Sequence, residues 1–261
     1  MMKDSQAEII HKQTWNEYIL LEIYSPRISS QSQPGQFLMI RINPQLHPLL
    51  RRPFSIHSTK GSRIEIFFQN SGLGTSLLSR KKIHDQLDII GPLGKGFFLD
   101  NSLREKEVVL IGGGRGIAPL FFLAQSLRTF PCGVKIFYGG KTHKDLPLKD
   151  RLEEKRFDLY CSTDDGSYGY KGYVSELFEA TFPSLNPKAV FACGPEEMMK
   201  KISHLTQQQK IPAQFSLESM MGCGIGACWG CVKRIKKKGS EEWIKICEEG
   251  PVFRSEEIVW S

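Results

Sequence analysis

Residues 106–130 read KEVVLIGGGRGIAPLFFLAQSLRTF, and this stretch decides the fold of the middle of the chain. VVLI, at 108–111, is a short apolar run typical of a buried strand, and it ends in Gly112, Gly113 and Gly114. The segment IAPLFFLAQSLRTF then follows with helical periodicity. The alternation continues as GVKIFYGG, LKDRLEEK, FDLYCSTDDG, YVSELFEAT, AVFACGP and EEMMKKISHLTQQQ. It predicts a doubly wound parallel sheet with ligands at the carboxyl ends of its strands.

The sequence before this stretch predicts a small antiparallel β-barrel. Its short alternating or apolar runs are YILLEIY (18–24), QFLMIRI (36–42) and RIEIFFQ (63–69), separated by turn-forming PG, NP and SGLG. One segment, LGTSLLSRK near 73–81, has helical character. Short strands with so few helices between them are typical of a barrel.

Composition indicates an ordinary globular protein. Of the 261 residues, 40% are hydrophobic and 24% are charged, which is enough apolar material for a sizeable core. The polar start, MMKDSQAEIIHKQ, does not resemble a secretory signal, and the apolar runs are too short to span a bilayer. We therefore expect a cytoplasmic protein with reduced thiols, and the odd count of seven cysteines argues against a complete set of disulfides.

The net charge of +7 is spread along the chain, and its densest run is KRIKKK at 233–238. This run is either a solvated hairpin tip or a docking patch for an acidic partner. Aromatic residues do not interleave with it, and the spacing of a helix-turn-helix or zinc finger is missing. Nucleic acid is therefore not the expected partner.

Four cysteines follow the α/β region: Cys223, Cys228, Cys231 and Cys247. Their spacing, C-x4-C-x2-C-x15-C, opens like that of plant-type ferredoxins and favours a [2Fe–2S] cluster. Cys223 and Cys228 can serve one iron, while Cys231 and Cys247 serve the other. The glycines between them permit positive φ angles and bring backbone amides close to sulfur.

Two other uses of these thiols stay open at this point. Structural zinc sites usually have two short CxxC-like knuckles, whereas Cys247 stands alone. A redox dithiol would use CWGC at 228–231, but this segment follows the sheet instead of opening a helix within it. Cys132 and Cys161, outside the cluster, are expected to be inert and buried.

Two segments of the barrel region suit a phosphate-bearing ligand. RRPFSI, at 51–56, places a basic pair before an aromatic residue, and GLGTSLLS, at 72–79, opens a helix at a glycine turn. Free backbone amides at a helix start hold phosphate oxygens. Arg52 beside that helix start would clamp a diphosphate, and Phe54 could lie against an isoalloxazine ring.

RRPFSI, GLGT, GPLGKGF, LIGGGRGIAPL, TDDGSYG, FACGPEEMM and CEEGPVF occur in this order along the chain. With them, the sequence resembles the electron-transfer subunits of class 1B dihydroorotate dehydrogenases, in the ferredoxin-reductase superfamily. The resemblance covers residues 10 to 255, and the cysteine-rich end is its most specific part. It implies FAD in the barrel, NAD(H) on the α/β domain and [2Fe–2S] at the carboxyl end. The implied domains are 1–102 for FAD, 103–214 for NAD and 215–261 for the cluster.

The resemblance also implies which residues bind the cofactors. Those for FAD are Arg52, Pro53, Phe54, Ser55, Phe68, Gln69, Asn70, Gly74 and Thr75. Those for the nicotinamide nucleotide are Gly112, Gly113, Gly114, Cys193, Gly194 and Pro195, with Cys193 beside the nicotinamide or serving merely as a small core residue. Arg115, where relatives commonly have an aliphatic residue, either meets a phosphate or faces solvent. Lys141 and Lys144 leave the choice between NAD and NADP open.

The implied function is electron transfer without an acid–base pair or a nucleophile. Electrons pass from an FMN-containing dihydroorotate dehydrogenase catalytic subunit through [2Fe–2S] and FAD to NAD+, within a heterotetramer of two copies of each subunit. Trp229 would shield the cluster or help form the interface. The alternatives are a reductase subunit of a sulfide dehydrogenase, a hydrogenase or a ferredoxin–NADP transhydrogenase, and a non-enzymatic redox sensor.

Overall fold

The structure is a computed structural model that describes residues 2–43, 45, 47–237 and 239–260. It contains a closed barrel, a seven-stranded sheet and a two-stranded hairpin. The antiparallel barrel, the parallel sheet and the small carboxyl-terminal subdomain confirm the predicted fold class.

The barrel is built from six antiparallel strands. They are β1 (Met2–Trp15), β2 (Tyr18–Tyr24), β3 (Phe37–Arg41), β4 (Arg52–Lys60), β5 (Arg63–Gln69) and β6 (Gln86–Leu93). They close in the order β1-β2-β5-β4-β3-β6. Helices α1 (Pro26–Gln31) and α2 (Leu73–Ser79) belong to the same half of the chain. Alternation of apolar and polar residues, as in β6, fills the barrel interior with side chains such as Leu87 and Ile89.

The second half of the chain forms the other sheet and its helices. The strands are β7 (Glu107–Gly113), β8 (Gly133–Gly140), β9 (Asp158–Thr163), β10 (Tyr170–Lys171), β11 (Pro187–Cys193), β12 (Ala213–Ser216) and, after a hairpin, β15 (Val252–Arg254). The helices are α3 (Ile117–Leu127), α4 (Lys149–Glu154), α5 (Val174–Thr181) and α6 (Glu196–Gln208). The strand order is β10-β9-β8-β7-β11-β12-β15, parallel except for β15.

Helix α3 lies between the sheet and the barrel. Its residues are apolar nearly all round, and side chains on opposite faces, such as Leu120 and Phe122, are both buried. Leu120 packs in the core shared with the sheet, whereas Phe122 packs in the barrel core. A helix that is buried on all sides needs this composition, which explains why 117–127 is apolar rather than amphipathic.

The carboxyl-terminal segment leaves the parallel sheet and returns to it. Strands β13 (Val232–Lys237) and β14 (Ser240–Lys245) form a hairpin, and helix α7 (Ile246–Glu249) precedes β15. Ser216 of β12 pairs with Val252 of β15. The expected boundary between 214 and 215 thus falls inside β12, and the boundary between 102 and 103 falls inside a short 3-10 helix at Asn101–Leu103. The three-part division of the chain stays a prediction.

The basic run 233–238 forms most of strand β13 rather than only a turn. Its cations have acidic neighbours: Lys233 pairs with Glu196, Arg234 with Glu241, and Lys237 with Glu249. The predicted run also includes Lys238, which lies outside the described residues. Compensation by these carboxylates explains how a strand can carry so many positive charges.

Among the residues that the structure describes, no helix is both long enough and apolar enough to cross a membrane.

Candidate functional site

The predicted cluster ligands lie in an irregular loop, residues 217–231, and on helix α7. Gly224 and Gly226 adopt φ values of +72° and +85°, in the region that favours glycine. A side chain on Gly224 would come within 2.4 Å of Met39 in the barrel, and one on Gly226 within 2.8 Å of Glu248. The loop therefore needs glycine both for its conformation and for its close contact with the barrel.

Backbone amides point at the sulfur atoms, as expected for a loop that holds thiolates. The Gly226 N–H donates to Cys247 Sγ over 3.2 Å, and the Cys247 N–H donates to Cys231 Sγ over 3.4 Å. The Ile225 N–H donates to Cys223 Sγ over 3.5 Å. Such donors stabilise negative charge on sulfur.

The four thiols stand in two pairs, Cys223 with Cys228 and Cys231 with Cys247. Burial raises the pKa of Cys223, but hydrogen bonds from Ile225 and Cys228 outweigh it and lower that pKa to about 7. Burial, together with the neighbouring Cys231 sulfur, raises the pKa of Cys247 to about 12. Cys228 is exposed, whereas Cys231 and Cys247 are buried.

This donor set fits a [2Fe–2S] cluster, because each iron of such a cluster takes two thiolates. In the described part of the chain, no three His, Cys, Asp or Glu side chains stand together as the ligands of a single ion would. The pairing is the one predicted from the spacing, although the ligand assignment itself stays a prediction. Cys132 and Cys161 lie elsewhere and are partly buried, and burial raises the pKa of both thiols.

The outer face of the cysteine loop exposes several large apolar side chains. Met220 is 89% exposed, Ile225 45% and Trp229 59%. The Lys245 ammonium lies 5.1 Å from the Trp229 ring centroid, and Trp229 adopts a φ of +55°. Trp229 therefore faces outward beside the exposed Cys228 rather than covering a buried core.

A cavity of about 200 Å³ lies between the barrel, the sheet and the cysteine loop. Six of the predicted FAD-binding residues line it: Pro53, Phe54, Ser55, Phe68, Gln69 and Thr75. The rings of Phe54 and Phe68 meet edge to face, with centroids 5.3 Å apart. The wall combines aromatic surface with a few polar groups, which suits a planar ring system with polar edges.

The other three predicted FAD-binding residues, Arg52, Asn70 and Gly74, are not part of the cavity wall. Arg52 and Gly74 meet each other, since a side chain on Gly74 would lie 3.0 Å from the Arg52 Nε atom. Arg52 thus stands at the start of helix α2, and its role in binding FAD stays a prediction. Its neighbour Arg51 instead pairs with Asp88 over 2.7 Å.

The predicted nucleotide residues meet where strands β7 and β11 end. A side chain on Gly112 would lie 3.0 Å from Ile117, and one on Gly113 would lie 2.8 Å from Pro195. These two glycines therefore allow close packing within the protein. Gly114, with a φ of +53°, faces open space. Gly194 has a φ of +155° and packs against Gly113.

Cys193 is buried at the end of β11 and lines the cavity. Burial raises the pKa of its thiol, and the negative charge of Glu218 raises it further, while Ser216 and Arg115 lower it. The thiol is therefore neutral at physiological pH. Arg115 also lines the cavity.

Sequence reasoning missed nine residues of the cavity wall: Phe37, Phe67, Ala118, Ser216, Leu217, Glu218, Ser219, Met221 and Pro251. Five of the nine lie between the end of β12 and the first cysteine, in 216–221. Their position immediately before a ligand loop was the available signal, but a cavity that joins distant segments is not visible in local sequence.

Comparison with known families gives matches for two parts of the chain. Residues 218–259 match the iron–sulfur cluster binding domain of dihydroorotate dehydrogenase B. Residues 110–204 match the oxidoreductase NAD-binding domain.

Full-length relatives are similar over nearly the whole chain. The electron transfer subunit of dihydroorotate dehydrogenase B (NAD(+)) from Desulforamulus reducens is 36% identical over 98% of both chains. The subunit of the same name from Geobacillus sp. is 34% identical over 99% of this chain and 100% of its own.

Solved structures have the same fold. An NADH-dependent reduced ferredoxin–NADP oxidoreductase, described for flavin-based electron bifurcation, superposes with a TM-score of 0.85 at 30% identity, over 98% of this chain and 91% of its own. A ferredoxin–NADP+ reductase from Neisseria gonorrhoeae superposes with a TM-score of 0.65 at 20% identity, over 79% of this chain and 91% of its own.

Proposed function

Because the chain belongs to the family of dihydroorotate dehydrogenase B electron transfer subunits, we propose that it transfers electrons from an FMN-containing dihydroorotate dehydrogenase to NAD+. Oxidation of dihydroorotate to orotate releases two electrons and two protons, NAD+ takes up both electrons and one proton, and the second proton is released to solvent. The proposal places the chain in pyrimidine biosynthesis in the cytoplasm. One observation carries it: two pairs of thiols, on the loop 217–231 and helix α7, stand beside a cavity that six of the predicted FAD residues line.

The bound groups supply the redox chemistry, because FAD exchanges a hydride with nicotinamide and single electrons with an iron–sulfur cluster. The residues of this chain bind and orient those groups. Phe54, Ser55 and Gln69 would hold the ring system, while Arg52 and the start of α2 would hold its diphosphate. Cys193 presents a neutral thiol on the nucleotide side of the cavity.

The chain itself connects the two electron-carrying sites. Met221 lines the cavity, and only Gly222 separates it from Cys223. On the other side, Pro251 lines the cavity shortly after Cys247. Both ends of the segment that carries the cysteines therefore lie against the cavity, which keeps the two sites close together.

The exposed apolar side chains of the loop suit a partner surface. Met220, Ile225 and Trp229 are exposed on the same loop as Cys228, which is also exposed, and aromatic residues and methionine are enriched in protein interfaces. We expect the catalytic subunit to dock here, in a complex with two copies of each subunit.

Metal and flavin analysis tests the cofactors. The anaerobically purified protein should contain about two irons, two sulfides and one FAD per chain. Cys228→Ser should abolish electron transfer from NADH to one-electron acceptors that draw from the cluster, while reduction of the flavin by NADH persists. Cys132→Ser is the matched control, since Cys132 lies outside the cluster loop. Zinc in place of iron, or loss of flavin reduction in folded Cys228→Ser, would refute the proposal.

Coexpression with a dihydroorotate dehydrogenase catalytic subunit tests the partner. The purified complex should oxidise dihydroorotate with NAD+ as the acceptor, and neither subunit alone should couple the two reactions.

A second function is favoured by the structural similarity to the ferredoxin–NADP oxidoreductase. A chain of this architecture could serve as the reductase subunit of another complex. Identification of the native partner by affinity purification distinguishes the two, because a ferredoxin-linked or hydrogenase-type partner would replace the first function with the second.

A further inference from the structure

Arg115 is the only cation among the described residues that line the cavity, and Glu218 is the only anion. Arg115 lies in the short 3-10 helix Gly114–Gly116, between β7 and α3. Its side chain is exposed and forms no ion pair or hydrogen bond with any residue that the structure describes, and its charge acts on Tyr18 and Cys193. A cation with no protein partner on a cavity wall is available to a ligand.

The backbone around Arg115 is held tightly. A side chain on Gly116 would lie 2.0 Å from the Cys193 carbonyl oxygen, so the turn is packed directly against the end of β11. Gly114, on the other side, has open space where a side chain would project. Arg115 therefore sits on a fixed turn that faces an open crevice.

This crevice is the topological switch point of the sheet. From β7 the chain continues to β8 on one side, whereas β11 lies on the other side. Ligands of open α/β sheets bind outside the carboxyl ends of the strands at such a point. Ile117 and Pro195 fill the space where side chains on Gly112 and Gly113 would project, whereas the space beside Gly114 is open.

We propose that Arg115 binds the diphosphate of the nicotinamide dinucleotide and thereby anchors it beside Cys193. This inference rests on the proposed function. The Glu218 carboxylate on the same wall repels a diphosphate, so binding there requires a cation such as Arg115 to offset it. In the proposed function, Arg52 at the start of α2, on the barrel side, would hold the diphosphate of FAD.

The test is calorimetric binding of ADP-ribose, which carries the diphosphate but no nicotinamide, to the FAD- and cluster-loaded protein. Arg115→Gln should weaken ADP-ribose binding about 10- to 100-fold, the usual effect of losing a charge-assisted contact. Arg115→Lys should restore part of the affinity, and the salt dependence of binding should be smaller in Arg115→Gln than in the wild type. Adenosine, which has no phosphate, should bind all variants equally.

Arg27→Gln is the matched control, since Arg27 is exposed on α1 and does not line the cavity. It removes the same charge and should leave ADP-ribose binding unchanged. Equal affinity of wild type and Arg115→Gln for ADP-ribose would overturn the inference, as would an equal loss in Arg27→Gln. A change in the flavin midpoint potential without a change in affinity would also overturn it. If the wild type binds neither ADP-ribose nor NADH, the proposed function fails as well, so the two failures are distinguishable.

Discussion

His57 should make the protein less stable as the pH falls, and His57→Phe should remove this dependence. The imidazole lies on β4 between the barrel and α3, fully buried and stacked on Phe121 with ring centroids 4.3 Å apart. Its Nδ1 donates to the Ala118 carbonyl oxygen over 3.0 Å. Nε2 has no hydrogen-bond partner among the described residues, so a second proton there would be buried without an acceptor.

The size of the effect follows from the pKa. Burial, and then the nearby Arg151 cation, lower the pKa of His57 to about 3, while the bond to Ala118 opposes them. In the unfolded chain the pKa of histidine is about 6.5. Between these values the unfolded state binds one proton more than the folded state, so the free energy of unfolding falls as the pH falls. The slope approaches about 1.4 kcal/mol per pH unit, and the loss between pH 7 and pH 5 is roughly 2 kcal/mol.

Urea unfolding curves of the wild type and His57→Phe at pH 7 and pH 5 measure this difference. Phenylalanine retains the stack on Phe121, so the variant should unfold at a similar urea concentration at pH 7 and should be relatively more stable at pH 5 by roughly 2 kcal/mol. His11→Gln, which changes an exposed histidine, is the control and should follow the wild type. If His57→Phe loses as much stability as the wild type between the two pH values, the histidine is not held neutral in the folded protein and the reasoning is wrong.

Three further substitutions test the contacts around the two sites. Gly224→Ala forces a side chain to a positive φ and toward Met39, and should destabilise the protein by about 2–5 kcal/mol and lower its iron content, measured by thermal unfolding and metal analysis. Full iron occupancy at an unchanged melting temperature would contradict this. Trp229→Ala should weaken binding of the catalytic subunit by 10-fold or more in surface plasmon resonance, without changing flavin reduction by NADH. Unchanged affinity would show that Trp229 lies outside the interface. Gly116→Ala should separate the β7–α3 turn from Cys193 and weaken ADP-ribose binding, and retention of wild-type affinity would show that the turn can shift without cost.

The elements with clear local patterns could be predicted from the sequence. The runs at 18–24 and 63–69 coincide with strands β2 and β5, because apolar alternation and turn residues define both their register and their ends. Cys223 and Cys228 are five residues apart in a glycine-rich loop, so their pairing could be predicted from local sequence. Cys231 and Cys247 are sixteen residues apart, and the whole β13–β14 hairpin lies between them. The helix predicted near 73–81 is α2, which ends at Ser79.

Features that depend on distant partners could not be predicted. Strand β12 has four residues and β15 three, and each is a strand only because it pairs with a neighbour far along the chain. Strand β13 could not be predicted because its consecutive positive charges are typical of a solvated segment. In the structure, Glu241 and Glu249 form ion pairs with Arg234 and Lys237 of this strand. The role of each glycine in the triplet 112–114 could not be predicted either. A sequence does not tell whether a glycine makes room for a ligand or, as with Gly113, for a neighbouring segment of the protein.

The pairing of Ser216 with Val252 turns residues 217–251 into a closed excursion whose two ends lie one strand spacing apart. This pairing brings Cys247 near the other three cysteines through contacts of the polypeptide alone, and it covers most of the loop-closure entropy of that approach. The iron–sulfur bonds therefore have less chain entropy to overcome than they would in an unconstrained loop of this length.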